Sequence, residues 1–503
     1  MTKMLPQTDD WSFESLDQYF QEIRTIAEDD FRLDVYPNQI EVISAEQMID
    51  AYSSVGLPVN YTHWSFGKQF IQDMKSYNKG HKGLAYEIVI NSNPCIAYLM
   101  EENTLPMQAL VMAHACFGHN AFFKNNYLFK ERTSADLIVD YMDYARSYIA
   151  ECEAKYGIEK VEAFLDSCHA LRNHGVDHYI RPSQLSKQKR EMRDKERNEA
   201  DQRAVDNFWD TIIPKNSSQS ETVDDRYQFP KEPHENLLYF FEKYAPNLDE
   251  WQREILRIVR KIQEYFSPQR QTKVGNEGFA TMMHYEILLR MEEKGLVGSK
   301  FMLEVLQSHT GVIGQLPYNH PYYSGINPYT LGFNILQDIK RMCENPTKED
   351  EIYFPQIVGQ DWIEQVQNAA YNYRDETLVQ TFLSPKVMRD MKLFAMRNDS
   401  EKAYMEILGS HDQQGYDIVR NQLAEQYNIH NLIPMIEVVD VDVRGDRTLT
   451  LRHTAKLNTE LDISSTRETL QHIQHIWDFD VKLISQDEDG NTLGSVHIER
   501  PNR

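Results

Sequence analysis

Residues 111–123 read VMAHACFGHNAFF, which sets His114 and His119 five apart in an otherwise apolar run. Imidazoles are zinc ligands, and the familiar zinc-peptidase helix carries two of them four apart, with a glutamate as base, in H-E-x-x-H. Here the spacing is one longer, and Ala115 stands where the glutamate would be. On a regular helix, residues five apart point roughly 140° away from each other and cannot chelate one ion directly. Two local devices could reunite them: a one-residue π-bulge, or a widening at Gly118 as the helix ends. The alternative is a pair of core histidines that happen to be neighbours.

A second stretch, GNEGFATMMHYE (275–286), sets Glu277 in the opening turn of a Met-rich, largely buried helix. A buried carboxylate must be paired, protonated or bound to a cation. His284, seven residues on, lies on the same face and can point into the same cavity. The competing reading is an acid favoured by the positive end of the helix dipole. A third stretch, YNHPYYSGINPYTLGFNI (318–335), packs His320, Tyr322, Tyr323 and Tyr329 into a loop that enters a helix. Such loops can hold hydroxyls over a site as donors to an oxyanion, or can simply pack aromatic rings. CHALRNHGVDHY (168–179) adds His169, His174 and His178, as supporting or second-site histidines or as structural ones. His63 in NYTHWSFG reads as a core or supporting histidine.

The elements that must carry these residues are mostly helical. Residues 11–80 read as amphipathic helices, and residues 84–103 change period, with two short apolar runs around Asn-Ser-Asn-Pro predicting a β-hairpin. Helical periodicity resumes from about Pro106 and again over 235–345, while 181–203 is a charged, solvated stretch and 214–225 a loop. From residue 431 the pattern becomes strand–turn–strand, helix, strand–turn–strand, a small α+β domain. The fold class is therefore mainly α: an N-terminal helical segment (1–83), a core (84–345) with a polar insertion near 181–230, a helical extension (346–430) and the α+β domain (431–503).

The chain has 503 residues and a net charge of −24, so a phosphate backbone would be repelled over most of its surface and nucleic acid is not an expected partner. No apolar run reaches the ~20 residues needed to span a bilayer. The acidic N-terminus lacks a signal-peptide core, and the 5 scattered cysteines form no C-x-x-C pair, so a cytoplasmic protein with reduced thiols is expected.

In order along the chain, the motifs resemble those of gluzincin-type zinc peptidases, with a hairpin edge, a two-histidine helix, a later glutamate and a tyrosine segment. NEGFA (276–280) is similar to the third-ligand motif of the large aminopeptidases, PYTLGFN (328–334) to a carboxypeptidase Taq segment, and LMEEN (99–103) to a substrate-binding strand. The resemblance implies Zn2+ or another divalent metal held by His114, His119 and Glu277. It implies Tyr322, Tyr323 or Tyr329 at the oxyanion, a gluzincin-like helical domain, and a peptide-like substrate. With Ala115 in the motif, Glu286, Glu102 and His284 are the candidate bases, and His284, His169, His320 and Glu102 the candidate supporting or alternative ligands. Over residues 10–500 the longer stretches GLPVNYTHWSFGKQF, HACFGHNAFFKNNYLF, CHALRNHGVDHY and GNEGFATMMHYEIL resemble the stage V sporulation protein R (SpoVR) family. That resemblance implies a link to sporulation or peptidoglycan metabolism, and PrkA-type serine kinase and von Willebrand-domain-like partners. The expected function is metal-dependent hydrolysis of a peptide or amide bond. The alternative is a catalytically inactive zincin-like scaffold in a stress-response or sporulation complex. A di-iron bundle ranks last, because paired E-x-x-H motifs are missing.

Overall fold

The computed structural model describes residues 4–53, 60–78, 87–178, 229–318, 320–397, 406–409, 411–456 and 461–501. The charged stretch 181–203 and the loop 214–225 lie outside the described residues. The chain folds into two units that are not consecutive in sequence: Met1–Asp166 with Arg257–Ile433, and Ser167–Leu256 with Pro434–Arg503.

The first unit is mainly helical. Helix α1 (Phe13–Thr25) starts at a reciprocal capping box between Ser12 and Ser15. Residues 11–80 are not all helical: Asn38–Ile43 forms strand β1, followed by α2 (Ala45–Ser53). The sequence NQIEVI is short and rich in β-branched residues, and a neighbouring strand is there to pair it. The expected hairpin is present as β2 (Glu87–Ile90) antiparallel to β3 (Cys95–Met100), and β1 joins it by lying parallel to β3. The sheet order is β1-β3-β2, which leaves β2 at an edge.

Thr104 caps α3 (Leu105–Met112), accepting the Met107 N–H at 3.3 Å. The chain then continues without a break as a π-helix, Ala113–His119, and as α4 (Asn120–Asn125). Every residue from Leu105 to Phe123 is buried, so this segment is the spine of the unit. Packed on it is α5 (Lys273–Glu293), followed by α6 (Ser299–Val312) and α7 (Pro328–Glu344). Helix α7 begins with Pro328 at its first turn behind an Asn327 cap, the arrangement a helix start favours.

The described residues of 346–433 belong to this same unit. They share one core with the spine, in which Phe354, Val366, Leu378 and Phe382 are buried with Phe122 and Phe279. The reason is visible at Asp375, whose carboxylate accepts the N–H groups of Val274 and Gly275 at 2.8 Å each. Helix α5 lacks a side-chain cap of its own, and this distant residue supplies one.

In the second unit, β4 (Met435–Val441), β5 (Leu449–Thr454), α8 (Ile463–Trp477), β6 (Val481–Gln486) and β7 (Thr492–Ile498) follow the predicted α+β pattern. The sheet order is β4-β5-β6-β7, with β5 and β6 parallel and both outer pairs antiparallel. Residues from before Arg257 join this unit: His234 bridges to Val438, and Phe240 and Phe241 lie against Trp477.

Candidate metal centre

The five-residue spacing is resolved by the π-helix itself. Its i→i+5 hydrogen bonds widen the turn, so a residue five along returns to nearly the same face. His114 and His119 meet edge to face, with ring centroids 4.6 Å apart. Gly118 does not end the helix. A Cβ there would lie 2.5 Å from Ala280 Cα, so glycine is what lets the π-segment press directly on α5. A second small pair performs the same role on the other side of α5, where a Cβ on Gly278 would meet Gly332 of α7 at 2.5 Å. The spacing of NEGFA and TLGF thus brings three helices to backbone contact around one point.

Glu277 lies one turn inside α5, not in its opening turn, and faces both histidines. Its Oε2 is 3.5 Å from His119 Nε2 and 4.0 Å from His114 Nε2. From the sheet edge, Glu87 at the start of β2 brings Oε1 to 3.7 Å from His114 Nε2. Glu87, His114 and His119 each offer a donor atom within 4.8 Å of one another. A tetrahedral ion with ~2.0–2.1 Å bonds holds its donors about 3.3 Å apart. The observed separations would need to close by only a few tenths of an ångström at Glu277–His119 and Glu87–His114, and somewhat more elsewhere. Two imidazoles and two carboxylates are donors that zinc and other first-row divalent ions accept.

The electrostatics point the same way. Burial, then the neighbouring imidazoles, hold His114 and His284 well below the usual histidine range, so both are neutral. Burial and the charge of Glu277 push the Glu87 carboxyl up to about 8. Among the described residues, the ion-pair partners of Glu87 and Glu277 are histidines alone. Glu277 Oε2 is buried and accepts no hydrogen bond. Such an atom is costly unless a cation or donor faces it. The carboxylate side is not sealed, since Glu87 and Glu277 keep 18% and 17% of their side-chain surface, against 5% for His114.

Around this centre, side chains orient the donors. His119 Nδ1 meets Asn276 Oδ1 at 2.9 Å, and His114 Nδ1 meets His284 Nδ1 at 2.9 Å. Burial and the charges of Glu277 and Glu87 push the titration of the Tyr329 hydroxyl far up, so it stays protonated. Tyr52 of α2 donates to the Glu87 carbonyl at 3.0 Å and is pushed up by burial and the same carboxylates.

The remaining sequence candidates lie elsewhere. Glu286 is bound by Lys340 Nζ at 2.7 Å and by Gln337. Nine residues after Glu277 on a 3.6-residue helix, it faces the opposite side, so it is no base for this centre. Glu102 sits exposed in the turn after β3, where it accepts the Ala45 N–H at 3.4 Å. His284 is not a ligand, because both its nitrogens are engaged by histidines, His114 and His309. Of the tyrosine loop, only Tyr329 reaches the carboxylates. Tyr322 is 80% exposed with its N–H on His320 Nδ1, and Tyr323 lies tilted against Tyr318 with ring centroids 4.8 Å apart. His169 belongs to the second unit with His174 and His178, where His178 Nδ1 is 2.9 Å from Glu235. A short 3-10 turn, Arg172–His174, removes the shared helix face that the spacing of His174 and His178 invites. His63 is buried against Ser65 Oγ at 2.7 Å and Asp166 at 3.2 Å.

Sequence reasoning missed Glu87, Tyr52, His309 and Asn276. For Glu87 a signal exists: one acid opening an apolar edge strand, EIVI, directly before the hairpin turn.

A family model described as SpoVR like protein matches residues 10–432, and one described as SpoVR-like C-terminal domain matches residues 434–488. Among curated proteins, the chain is 55% identical over 490 residues to "Uncharacterized protein YcgB" of Escherichia coli (strain K12), covering 97% of this chain and 95% of that one. No solved structure matches.

Proposed function

This chain belongs to the SpoVR family, and on that premise we propose that it is a metal-dependent hydrolase acting on a peptide or amide bond. The observation that carries the reading is a buried histidine pair facing two carboxylates, one with a buried oxygen that accepts no hydrogen bond. His114, His119 and Glu277 are the ligands. A divalent ion there, zinc by its donor types, would lower the pKa of its bound water to ~7. Glu87 takes the part that Ala115 leaves empty. It reaches the centre from a strand instead of from the ligand helix, with Oε1 3.7 Å from His114 Nε2, and a carboxylate so placed can accept and return a proton. Tyr329 stays protonated and donates a hydrogen bond where oxyanion charge develops.

The test is metal content of the purified full chain, followed by turnover on a peptide and muropeptide library. Glu277→Gln and His114→Ala should each abolish stoichiometric metal, whereas Glu87→Gln should keep metal and lose turnover by about 10²–10⁴-fold. Metal without turnover on any amide would leave the inactive, zincin-like scaffold as the better reading. A metal-free protein would sink the centre itself.

A further inference from the structure

Behind His114 lies a buried chain of imidazoles that ligand geometry alone does not require. His284 Nδ1 is 2.9 Å from His114 Nδ1, and His284 Nε2 is 2.9 Å from His309 Nδ1. All three residues are at most 4% exposed. His309, on α6, is stacked on Tyr285 at 4.8 Å and set edge-on to Phe333 at 4.9 Å, so its ring has little freedom to turn.

Neutral imidazole has one N–H donor and one acceptor, so each contact in the chain fixes the next. A ligand nitrogen must present its lone pair. When His114 Nε2, which faces the Glu87 and Glu277 carboxylates, binds the ion, the proton of His114 must sit on Nδ1. His284 Nδ1 then accepts, His284 Nε2–H donates, and His309 Nδ1 accepts, which leaves His309 protonated on Nε2. The other ligand is treated differently, because His119 donates to a plain amide oxygen on Asn276.

We propose that His284 and His309 form a hydrogen-bonded relay that fixes the tautomer and ring angle of His114, with His309 a positioning residue two hydrogen bonds from that ligand. This rests on the metal reading above but not on hydrolysis. Partners of this kind commonly contribute about 10–100-fold in metal affinity. His309→Leu removes the terminal acceptor while filling similar space. His309→Asn can restore an acceptor oxygen near the place of Nδ1.

The experiment titrates Zn2+ into the full chain against a competing chelator. His309→Leu should weaken binding about 10–100-fold and His309→Asn should recover most of it. In protein carrying nitrogen-15 histidine, nuclear magnetic resonance of the zinc-loaded chain should show His309 protonated on Nε2. Zinc affinity unchanged in His309→Leu, loss not rescued by Asn, or His309 protonated on Nδ1 in the loaded protein would overturn the relay. Failure of the unsubstituted chain to bind Zn2+ would overturn both the relay and the metal reading. Tight, His309-dependent Zn2+ binding with no amide turnover would support the relay and count against the hydrolase.

Discussion

Gly118→Ala is the sharpest perturbation of the centre, because it adds one methyl where three helices meet. The new Cβ would lie 2.5 Å from Ala280 Cα and 2.8 Å from Ala280 Cβ. Carbon atoms rest at about 3.5–4.0 Å, so the π-segment and α5 must separate by ~1 Å. Both sides are continuous backbone, which has no flexible side-chain end to swing away. Overpacking of this kind costs about 1–3 kcal/mol, against a gain of about 1 kcal/mol from replacing a helical glycine by alanine. The net loss in stability is therefore modest. The ligands feel the full shift, since His119 follows position 118 directly and its Nε2 now stands 3.5 Å from Glu277 Oε2. Opening that distance by ~1 Å takes it well beyond the ~3.3 Å edge of a tetrahedral site. Misplacements of ~1 Å can cost about 10²-fold in function. Gly311→Ala in α6 is the control, because nothing lies within 4 Å of the methyl it would add, and it should bind metal normally. The assay is chelator-competition metal affinity alongside urea unfolding of both variants. A Gly118→Ala protein that folds and binds metal as tightly as Gly311→Ala would refute the close-contact argument.

Other outcomes are equally concrete. Glu286→Gln should leave metal affinity within a few-fold of the parent while lowering stability, because it strips Lys340 of a buried partner; a loss of metal would return Glu286 to the centre. Burial pushes the Asp375 carboxyl up to about 7, so the folded chain holds that proton over a range where the unfolded chain has released it. Stability should therefore fall as pH rises from about 4 to 7 and then level off; unfolding midpoints of Asp375→Asn should show a weaker slope there, and an identical slope would exclude Asp375 as the source. Tyr329→Phe should retain metal and lower turnover through kcat, whereas Tyr322→Phe, on an exposed ring, should change neither in steady-state assays.

Local patterns carried much of this protein in its sequence. Helical periodicity over 235–345, the hairpin around Asn-Ser-Asn-Pro and the strand–strand–helix–strand–strand close of the chain were legible because each depends on residues a few positions apart. The odd spacing of His114 and His119 was legible too, as a statement that a regular helix must be interrupted, and the π-helix is that interruption. What the sequence left open was which distant side chains meet. Glu286 and Glu277 look alike on one helix, and only packing shows that Lys340 of α7 takes the first while the histidines face the second. Glu87 enters because β2 is the sheet edge beside the π-segment, a placement set by strand pairing with β3. His309 and Asp375 act across 25 and about 100 residues, and no local pattern announces either. The glycines were visible as letters, but their meaning was not: Gly118 against Ala280 and Gly278 against Gly332 are close approaches between chain segments, and only the folded backbone decides which segments touch.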